Sequence, residues 1–408
     1  MLWIGTALSG VGFMMSMTAQ SVVAFDLAGN NRAVGAVMFG QGIAMLALSP
    51  FGGAFADRLS KRLVLLLCQS AIGLSLFLTG VLIASGAITT FWLAASSFVM
   101  GTMFSFLGPA RQAYVGEIVD AEHRGNAVAM SQVAMNLTRV VGPFIAGALL
   151  AWRLVGAAGT YFVMASIFVI VVATLLQLPP TRGRRRGEGV GVLREIALGV
   201  RHVTQNPRLL QLVAGFVVIT LAGFPYMTVM PGYVTRVLGE GTGAYGILLG
   251  VSAVGGLVTS LFVAGLADSR RAPLVLTLSS AGLGIALILT GLAPSYAVAL
   301  VTMFCVGGSV SGFQTLNNAL ALKETNPAFY GRVMSITMLA FSGTGLMALP
   351  IGLLADAIGE RATLIAMGST VCVIVALLAL WGTRLRDAPA AGQHLAGARR
   401  PLPGGGDD

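Results

Sequence analysis

The stretch GGAFADRLSKR, residues 52–62, places Asp57, Arg58, Lys61 and Arg62 within six positions, in a 408-residue chain of which only 10% is charged. It directly follows an apolar run. A carboxylate at such a helix end can face the N-terminus of another helix, a contact worth about 0.3–1 kcal/mol and more when partly buried. That is a suitable size for a latch that must open again. Arg58, Lys61 and Arg62 fit the latch, and they also fit a simpler role as positive charge that fixes topology. Two further arginines, Arg111 and Arg139, lie within apolar runs. An arginine at the centre of a membrane helix costs roughly 2.5–3.5 kcal/mol on insertion scales, so each is a functional candidate. Arg139 has Asn136 one turn before it, whereas Arg111 sits near a run end and can snorkel. The fifteen acidic residues all fall in loops, tails or run ends, and Asp26 and Glu117 lie nearest the apolar segments.

Several chemistries are excluded. The two lysines, Lys61 and Lys323, are followed by Arg and Glu, so no G-x-x-x-x-G-K-[ST] phosphate loop exists and the chain cannot itself be an ATP-driven pump of that type. None of the three His precedes a Glu, which removes the HExxH metalloprotease pattern. Cys68, Cys305 and Cys372 fall inside apolar runs, and His123, His202 and His394 stand alone in loops. Neither metal nor cofactor is expected, and no enzyme activity.

The elements that position these residues are membrane helices. Hydrophobic residues make up 56% of the chain and mean hydropathy is +0.86, far outside the soluble range. Apolar runs long enough to cross a core of about 30 Å recur twelve times. They lie at 2–25, 33–56, 62–85, 90–115, 126–151, 155–178, 209–231, 242–267, 273–292, 295–322, 332–354 and 361–382. The sequence pI is about 10.2, yet the basic residues report topology rather than nucleic-acid binding. With a cytoplasmic N-terminus, 19 of the 25 Lys and Arg fall on the cytoplasmic side and four (Arg32, Arg153, Arg236, Arg361) outside. By the positive-inside rule both termini are cytoplasmic, as expected for a multi-pass protein of the cytoplasmic (inner) membrane. The start is apolar from its second residue and lacks a basic leader, so it reads as the first span rather than a cleaved signal peptide. Its abruptness suggests a natural chain with a few more residues upstream.

The spans divide into two halves. LPPTRGRRRGEGVG (178–191) is a break that no membrane helix could contain. The next segment places Leu193, Ile196, Ala197 and Val200 on one helical face, as in an amphipathic surface helix. The organisation is therefore an N-terminal six-helix bundle (1–178), a cytoplasmic linker with that helix (179–208), a C-terminal six-helix bundle (209–382) and a disordered tail (383–408). Within the halves one helix ending recurs. Span two ends GAFADRLSKR with Asp57, and span eight ends AGLADSRR with Asp268, 211 positions later; span eleven ends GLLADAIGER with Asp356, and span five ends GALLAWR with Trp152 in the Asp position. Related endings on spans two, five, eight and eleven imply a three-helix unit used four times, with alternate units inverted and a site between the halves.

GGAFADRLSKR resembles the G-x-x-x-D-[RK]-x-G-[RK]-[RK] signature of the major facilitator superfamily. Gly53, Asp57, Arg58, Lys61 and Arg62 match, while Ser60 replaces the usual Gly. Asp268, Arg270 and Arg271 look like its degenerate copy. Gly142-Pro143-Phe144-Ile145-Ala146-Gly147 is similar to the antiporter motif G-P-x-x-G-G, with Ala146 in place of a Gly. GPARQAYVGEIV and RGNAVAMSQVAMNLTRVVGPFIAG resemble the branch that holds the enterobactin exporter and the macrolide efflux proteins.

The resemblance implies an all-α fold of two pseudo-symmetric six-helix bundles. It also implies latches of Asp57 against the start of span eleven near Gly331 and of Asp268 against the start of span five near Gly125. Arg111 resembles a fourth-helix Arg linked in the family to proton coupling. Spans one, four, seven and ten would line the cavity, offering Met14, Met15, Met17 and Gln20, then Phe104 and Phe106. Phe224, Tyr226 and Met227 would follow, and then Phe313, Gln314, Asn317 and Asn318. The function implied is a secondary transporter, a proton-coupled exporter of a moderately hydrophobic drug, macrolide or siderophore. A lysophospholipid or other lipid-like cargo, or a non-transporting sensor or scaffold, are the alternatives. The partners are then a small molecule, a proton and the lipid bilayer, with no nucleic acid, and the protein is a monomer.

Overall fold

Glycine, proline and capping side chains decide where the helices stop. α1 (Leu2–Ala28) ends at Gly29, whose φ of +63° is a conformation side-chain-bearing residues rarely adopt. Asn30 then accepts a hydrogen bond from Ala33 N–H at 2.9 Å and starts α2 (Asn31–Arg58). Ser60 caps α3 (Lys61–Ala84) by accepting from Leu63 N–H at 3.2 Å. α4 (Thr90–Ile118), α5 (Arg124–Ala151) and α6 (Gly156–Leu176) complete the first half. In the second, Asn206 caps α8 (Pro207–Gly223), where Pro207 loses nothing by lacking an N–H in the first turn.

The computed structural model describes residues 2–58, 60–118, 124–178, 192–326 and 329–387. The seventh apolar run, predicted as one helix, is broken. Phe224-Pro225 separates α8 from α9 (Tyr226–Gly232), which continues as a π-helical turn at Tyr233–Val237. Pro225 has no N–H with which to continue the ladder. α10 (Thr242–Ala264), α11 (Ala272–Leu292), α12 (Tyr296–Lys323), α13 (Tyr330–Ile358) and α14 (Glu360–Asp387) follow. Among the described residues eleven helical stretches are long and apolar enough to cross a membrane, α8 through the π turn counting as one. α5, whose described apolar part is Leu137–Ala151, makes twelve. The fold is that of an all-α, multi-pass membrane protein.

Twelve crossings bring both ends of the described chain to one face, the terminal face; the opposite face is the distal face. In the N-terminal half α1 packs on α5 and α6, and α2 on α4. In the C-terminal half α10 packs on α12, and α11 on α12 and α14. Each half has its own core, around Met15, Ile72 and Phe168 in the first and Phe216, Leu287 and Met303 in the second. Large apolar side chains such as Leu67, Val169, Leu261 and Val301 are exposed on the outside of the bundle, where lipid rather than water satisfies them.

α7 (Val192–Gln205) lies at the terminal face against α13 and α8. Gly199 abuts Arg332, His202 stacks on Phe329 at 4.2 Å and Val203 is buried, while Ala197 and Val200 remain exposed. The exposed pair leaves an apolar side free for the membrane surface. Leu193 and Ile196 have side chains outside the described set.

Candidate functional site

Two seams join the halves, α2 against α13 and α5 against α10. Both are closed by glycine on their distal side. A methyl group on Gly42 would stand 2.6 Å from Gly345 Cα, and one on Gly35 would stand 2.6 Å from the Ala348 carbonyl oxygen. On the other seam a methyl on Gly246 would stand 2.5 Å from Gly147 Cα and 2.6 Å from the Pro143 oxygen. The backbones therefore touch without side chains between them, as in close-packed membrane helices. The motif Gly142, Pro143, Gly147 supplies one of these surfaces. Gly142 also lets α1 approach, since a methyl there would meet Met14 Cβ at 2.4 Å.

A polar cluster caps the α2–α13 seam at the distal face. The Asp356 carboxylate, at the end of α13, accepts from the backbone N–H groups of Asn31 and Arg32, each at 2.8 Å, and from Asn31 Nδ2 at 3.2 Å. Those N–H groups are unsatisfied within α2 because they belong to its first turn. Glu360, at the start of α14, accepts from Asn31 Nδ2 at 2.9 Å and from Arg236 Nη1 at 3.0 Å. Arg236 also donates to the Gly29 carbonyl across the boundary between halves and lies over the Phe25 ring at 5.1 Å. Gly232 sits in the middle: a methyl there would meet Asn31 Oδ1 at 2.4 Å and Glu360 Oε1 at 2.7 Å.

Below the seams, toward the terminal face, a cavity of about 280 Å³ lies between the halves. From the first half Met14, Met17 and Thr18 of α1, Met38 of α2, and Arg139 and Pro143 of α5 line it. The break between α8 and α9 delivers Phe224, Tyr226 and Met227. α10 contributes Tyr245, Leu249, Ser252 and Ser260, and α12 contributes Ser311 and Gln314. Arg139 carries the only charge among these lining residues. Its guanidinium makes no hydrogen bond or ion pair among the described residues. The rest of the lining is adaptable Met and aromatic surface with a few hydroxyls.

The other expected residues are distributed as follows. Tyr226 and Gln314 reach the central cavity, but Met15 is fully buried in the first half's core, where Gln20 accepts from Ser97 Oγ at 2.7 Å. Phe106 packs against the first half's inner core beside Leu107 and Tyr114, and Phe104 turns onto Phe13 with ring centroids 3.7 Å apart. The side chains of α4 are thus spent inside their own half. Asn317 lines a different cavity, within the C-terminal half, and the buried Asn318 Oδ1 has no partner among the described residues. Arg111 donates to Ser9 Oγ at 3.1 Å, and Gln69 donates to the same oxygen at 2.9 Å, so Arg111 is held inside the first half. Asp26 is exposed near the distal end of α1. The side chains of Gly53, Asp57, Arg58, Glu117 and Asn136 lie outside the described set. Lys61 is buried, and Arg62 donates to the carbonyls of Leu175 and Leu176 at 3.0 and 2.5 Å, tying α3 to the end of α6.

Asp268 pairs with Lys323 at 2.8 Å, and Lys323 also donates to the Ala267 carbonyl at 2.7 Å. Both partners belong to the C-terminal half, and Asp268 is almost fully exposed. The hydrogen bond from Lys323, reinforced by its charge, holds the Asp268 carboxyl below the usual carboxylate range. Arg270 and Arg271 are exposed at the same turn. Met38 of α2 and Tyr245 and Ser252 of α10 are lining residues on helices outside the expected cavity set, while Ser311 lies on α12, an expected helix, but was not singled out.

Two six-helix halves meet along two glycine seams, with a cavity between them and a polar cluster over one end, an arrangement that fits a membrane transporter. The sequence profile described as Major Facilitator Superfamily matches residues 2–345, and the chain belongs to that family, whose members are transporters and not enzymes. Among its relatives are the staphyloferrin A transporter of Staphylococcus aureus, 25% identical over 83% of this chain and 85% of that protein, and macrolide efflux protein A of Streptococcus pyogenes, 23% identical over 88% of each. The enterobactin exporter EntS of Escherichia coli O1:K1 is 26% identical over 82% of this chain and 80% of its own length. Among solved structures, a bacterial homologue of the human lysosomal transporter Spinster, inward-facing and unoccupied, superposes with a TM-score of 0.76 at 15% identity, covering 95% of this chain and 98% of that one. A point mutant of the nucleoside transporter NupG gives 0.75 at 14% identity, with 93% and 98% covered. At these identities the structures speak for the fold.

Proposed function

We propose that the protein is a proton-coupled exporter in the cytoplasmic membrane whose cargo combines an apolar body with an anionic or acceptor-rich group. The observation that carries this reading is Arg139, a cation without a partner among the described residues in an otherwise apolar cavity between the halves. An unpaired guanidinium at that depth is expensive unless a ligand completes it. A siderophore-like cargo with carboxylate or catecholate oxygens meets that need, and a lipophilic cation is repelled by it. The siderophore transporters among the relatives agree with this direction. A cavity of about 280 Å³ lies just below the roughly 300–1,000 Å³ usual for drug-sized sites, so larger cargo requires the cavity to widen.

With the terminal face cytoplasmic, the structure represents a state closed to the outside, and Asp356 on the α2 N-terminus is the outer latch. Asp57, at the opposite end of α2, is the inner one, used when the cytoplasmic ends close. One helix then carries a latch at each end, and the two are not engaged together.

Uptake into inside-out vesicles under a pH gradient, acid inside, tests the reading with a catecholate siderophore, a macrolide and a fluorescent lipophilic cation. Gradient-dependent uptake of the siderophore, lost in Arg139→Gln and reduced in Asp57→Asn, is the expected result. Preference for the lipophilic cation, or flux indifferent to Arg139, would overturn the cargo assignment. No uptake of any compound by folded protein would turn the reading toward a lipid-like cargo or a sensor.

A further inference from the structure

A second cavity, larger than the central one, plays no part in this cycle. It measures about 480 Å³ and lies wholly within the C-terminal half, among α8, α11, α12 and α14. Its origin is a change in how α11 meets α14. Toward the distal face the two helices are in close contact: a methyl on Gly284 would stand 2.7 Å from the Gly368 carbonyl oxygen, and one on Gly291 would stand 2.9 Å from that of Arg361. Toward the terminal face, residues 273–280 and 375–383 separate and become the walls of the cavity. Pro273, Leu274, Thr277 and Ala379 form its lips and are exposed on the outer surface of the bundle, with Leu274 59% exposed. The cavity therefore opens sideways, toward the bilayer, at the level of the terminal face.

Its polarity is graded. Along α8 the lining runs from Arg208 through Leu212 and Gly215 to Ile219, a depth of roughly 16 Å at 1.5 Å per residue. The deep wall is Ile219, Phe313 and Val375, all apolar and buried. Two opposite charges stand at the rim, Arg208 in the first turn of α8 and Glu324 at the end of α12. Neither side chain makes an ion pair or hydrogen bond among the described residues. Between rim and floor, Asn317 is 2% exposed and its Nδ2 has no hydrogen-bond partner among the described residues. A buried amide in that condition costs free energy until an acceptor reaches it.

We propose that this cavity is a binding site for a bilayer glycerophospholipid with a zwitterionic, amine-bearing head group. One acyl chain fills the apolar shaft through the α11–α14 opening. The phosphate meets Arg208, the ammonium meets Glu324, and an ester carbonyl lies on the side of Asn317. The lateral opening selects a lipid over a cytoplasmic solute, because a solute would have to cross the exposed apolar lips. The paired rim charges select a zwitterion over an anionic lipid, which Glu324 repels. The site is separate from the central cavity, since α12 turns Ser311 and Gln314 to that one and Phe313 and Asn317 to this one, and it does not rest on the cargo assignment.

The test is native mass spectrometry of the protein released from membranes that contain equal parts of phosphatidylethanolamine and phosphatidylglycerol. Wild type is expected to retain one phosphatidylethanolamine after extensive detergent washing. Arg208→Gln and Glu324→Gln are each expected to lower that retention about tenfold, the scale of one charge-assisted contact. Gly215→Leu, which places a side chain in the shaft, is expected to abolish it. The nearest atom to a Cβ at 215 is the Leu378 methyl Cδ1 at 3.0 Å, the movable end of a flexible side chain. If that variant nevertheless does not fold, the two rim variants decide the matter. Equal retention of phosphatidylglycerol, or retention unchanged in both rim variants, would overturn the proposal.

Discussion

Asp356 and Asp268 occupy the same place in two copies of one helix ending, and they do different work. Asp356 reaches across the boundary between halves and satisfies two backbone N–H groups at the start of α2. Asp268 stays within its own half, on Lys323 at the end of α12. The difference lies in what faces each carboxylate. A helix N-terminus on the other half offers a contact that ties the two halves together and must break if they part. A lysine on the same half travels with the aspartate and gives no signal of state. A repeated sequence element therefore places a carboxylate at a helix end, and the tertiary neighbours decide whether it pairs within its half or across the boundary.

The comparison is tested first where the effect is largest. Within one half, a methyl on Gly307 would stand 1.7 Å from the Ser252 carbonyl oxygen, so Gly307→Ala overpacks a permanent contact. A loss of about 1–3 kcal/mol or more is expected, read as a fall in thermal midpoint and in folded yield. Gly246→Ala makes a similar clash, but across the boundary. It is expected to fold and instead to disfavour the distal-closed state, seen as faster labelling of a cysteine placed at the distal end of the seam.

Asp356→Asn removes the charge from the distal latch while keeping the shape. A shift of about 1–2 kcal/mol is expected, the range for a partly buried carboxylate on a helix N-terminus, and it appears as roughly tenfold greater distal accessibility. If distal labelling is unchanged, the latch is ornamental and the glycine seams alone hold the state. Asp268→Asn, the smallest of the series, is expected to leave access and flux at wild-type values. Because Lys323 depresses the folded-state pKa, the pair's contribution is present above the ordinary value of 3.8 and is lost as pH falls through the depressed one. The difference in thermal midpoint between wild type and Asp268→Asn should therefore be flat above pH 3.8 and shrink below it.

Much of the architecture was legible because lipid imposes it. Crossing a membrane demands about twenty apolar residues per helix, and the runs of the sequence coincide with the helices except at Phe224-Pro225. The exception was readable in part, since Pro225 was visible, though a proline is tolerated in many membrane helices. The cavity was legible on α1, α9 and α12, where Met14, Met17, Tyr226 and Gln314 line it. It was not legible on α4. Periodicity says which residues share a helix face, and only packing says that Phe104 turns onto Phe13 and away from the boundary.

The amino-acid sequence by itself determined the class of protein, the twelve crossings, the division into halves, the repeated helix ending and the two intramembrane arginines. These follow from local requirements, namely apolar length, charge placement and the cost of a buried cation. Only the tertiary structure decided which arginine is held inside a half and which lines the cavity between the halves. Arg111 finds Ser9, 102 positions away, while Arg139 finds the cavity. Likewise, the contact of Asp356 with Asn31 spans 325 positions, and the opening between α11 and α14 exists only because helices that touch near one face diverge near the other. Such outcomes depend on relative helix positions, which no local pattern encodes.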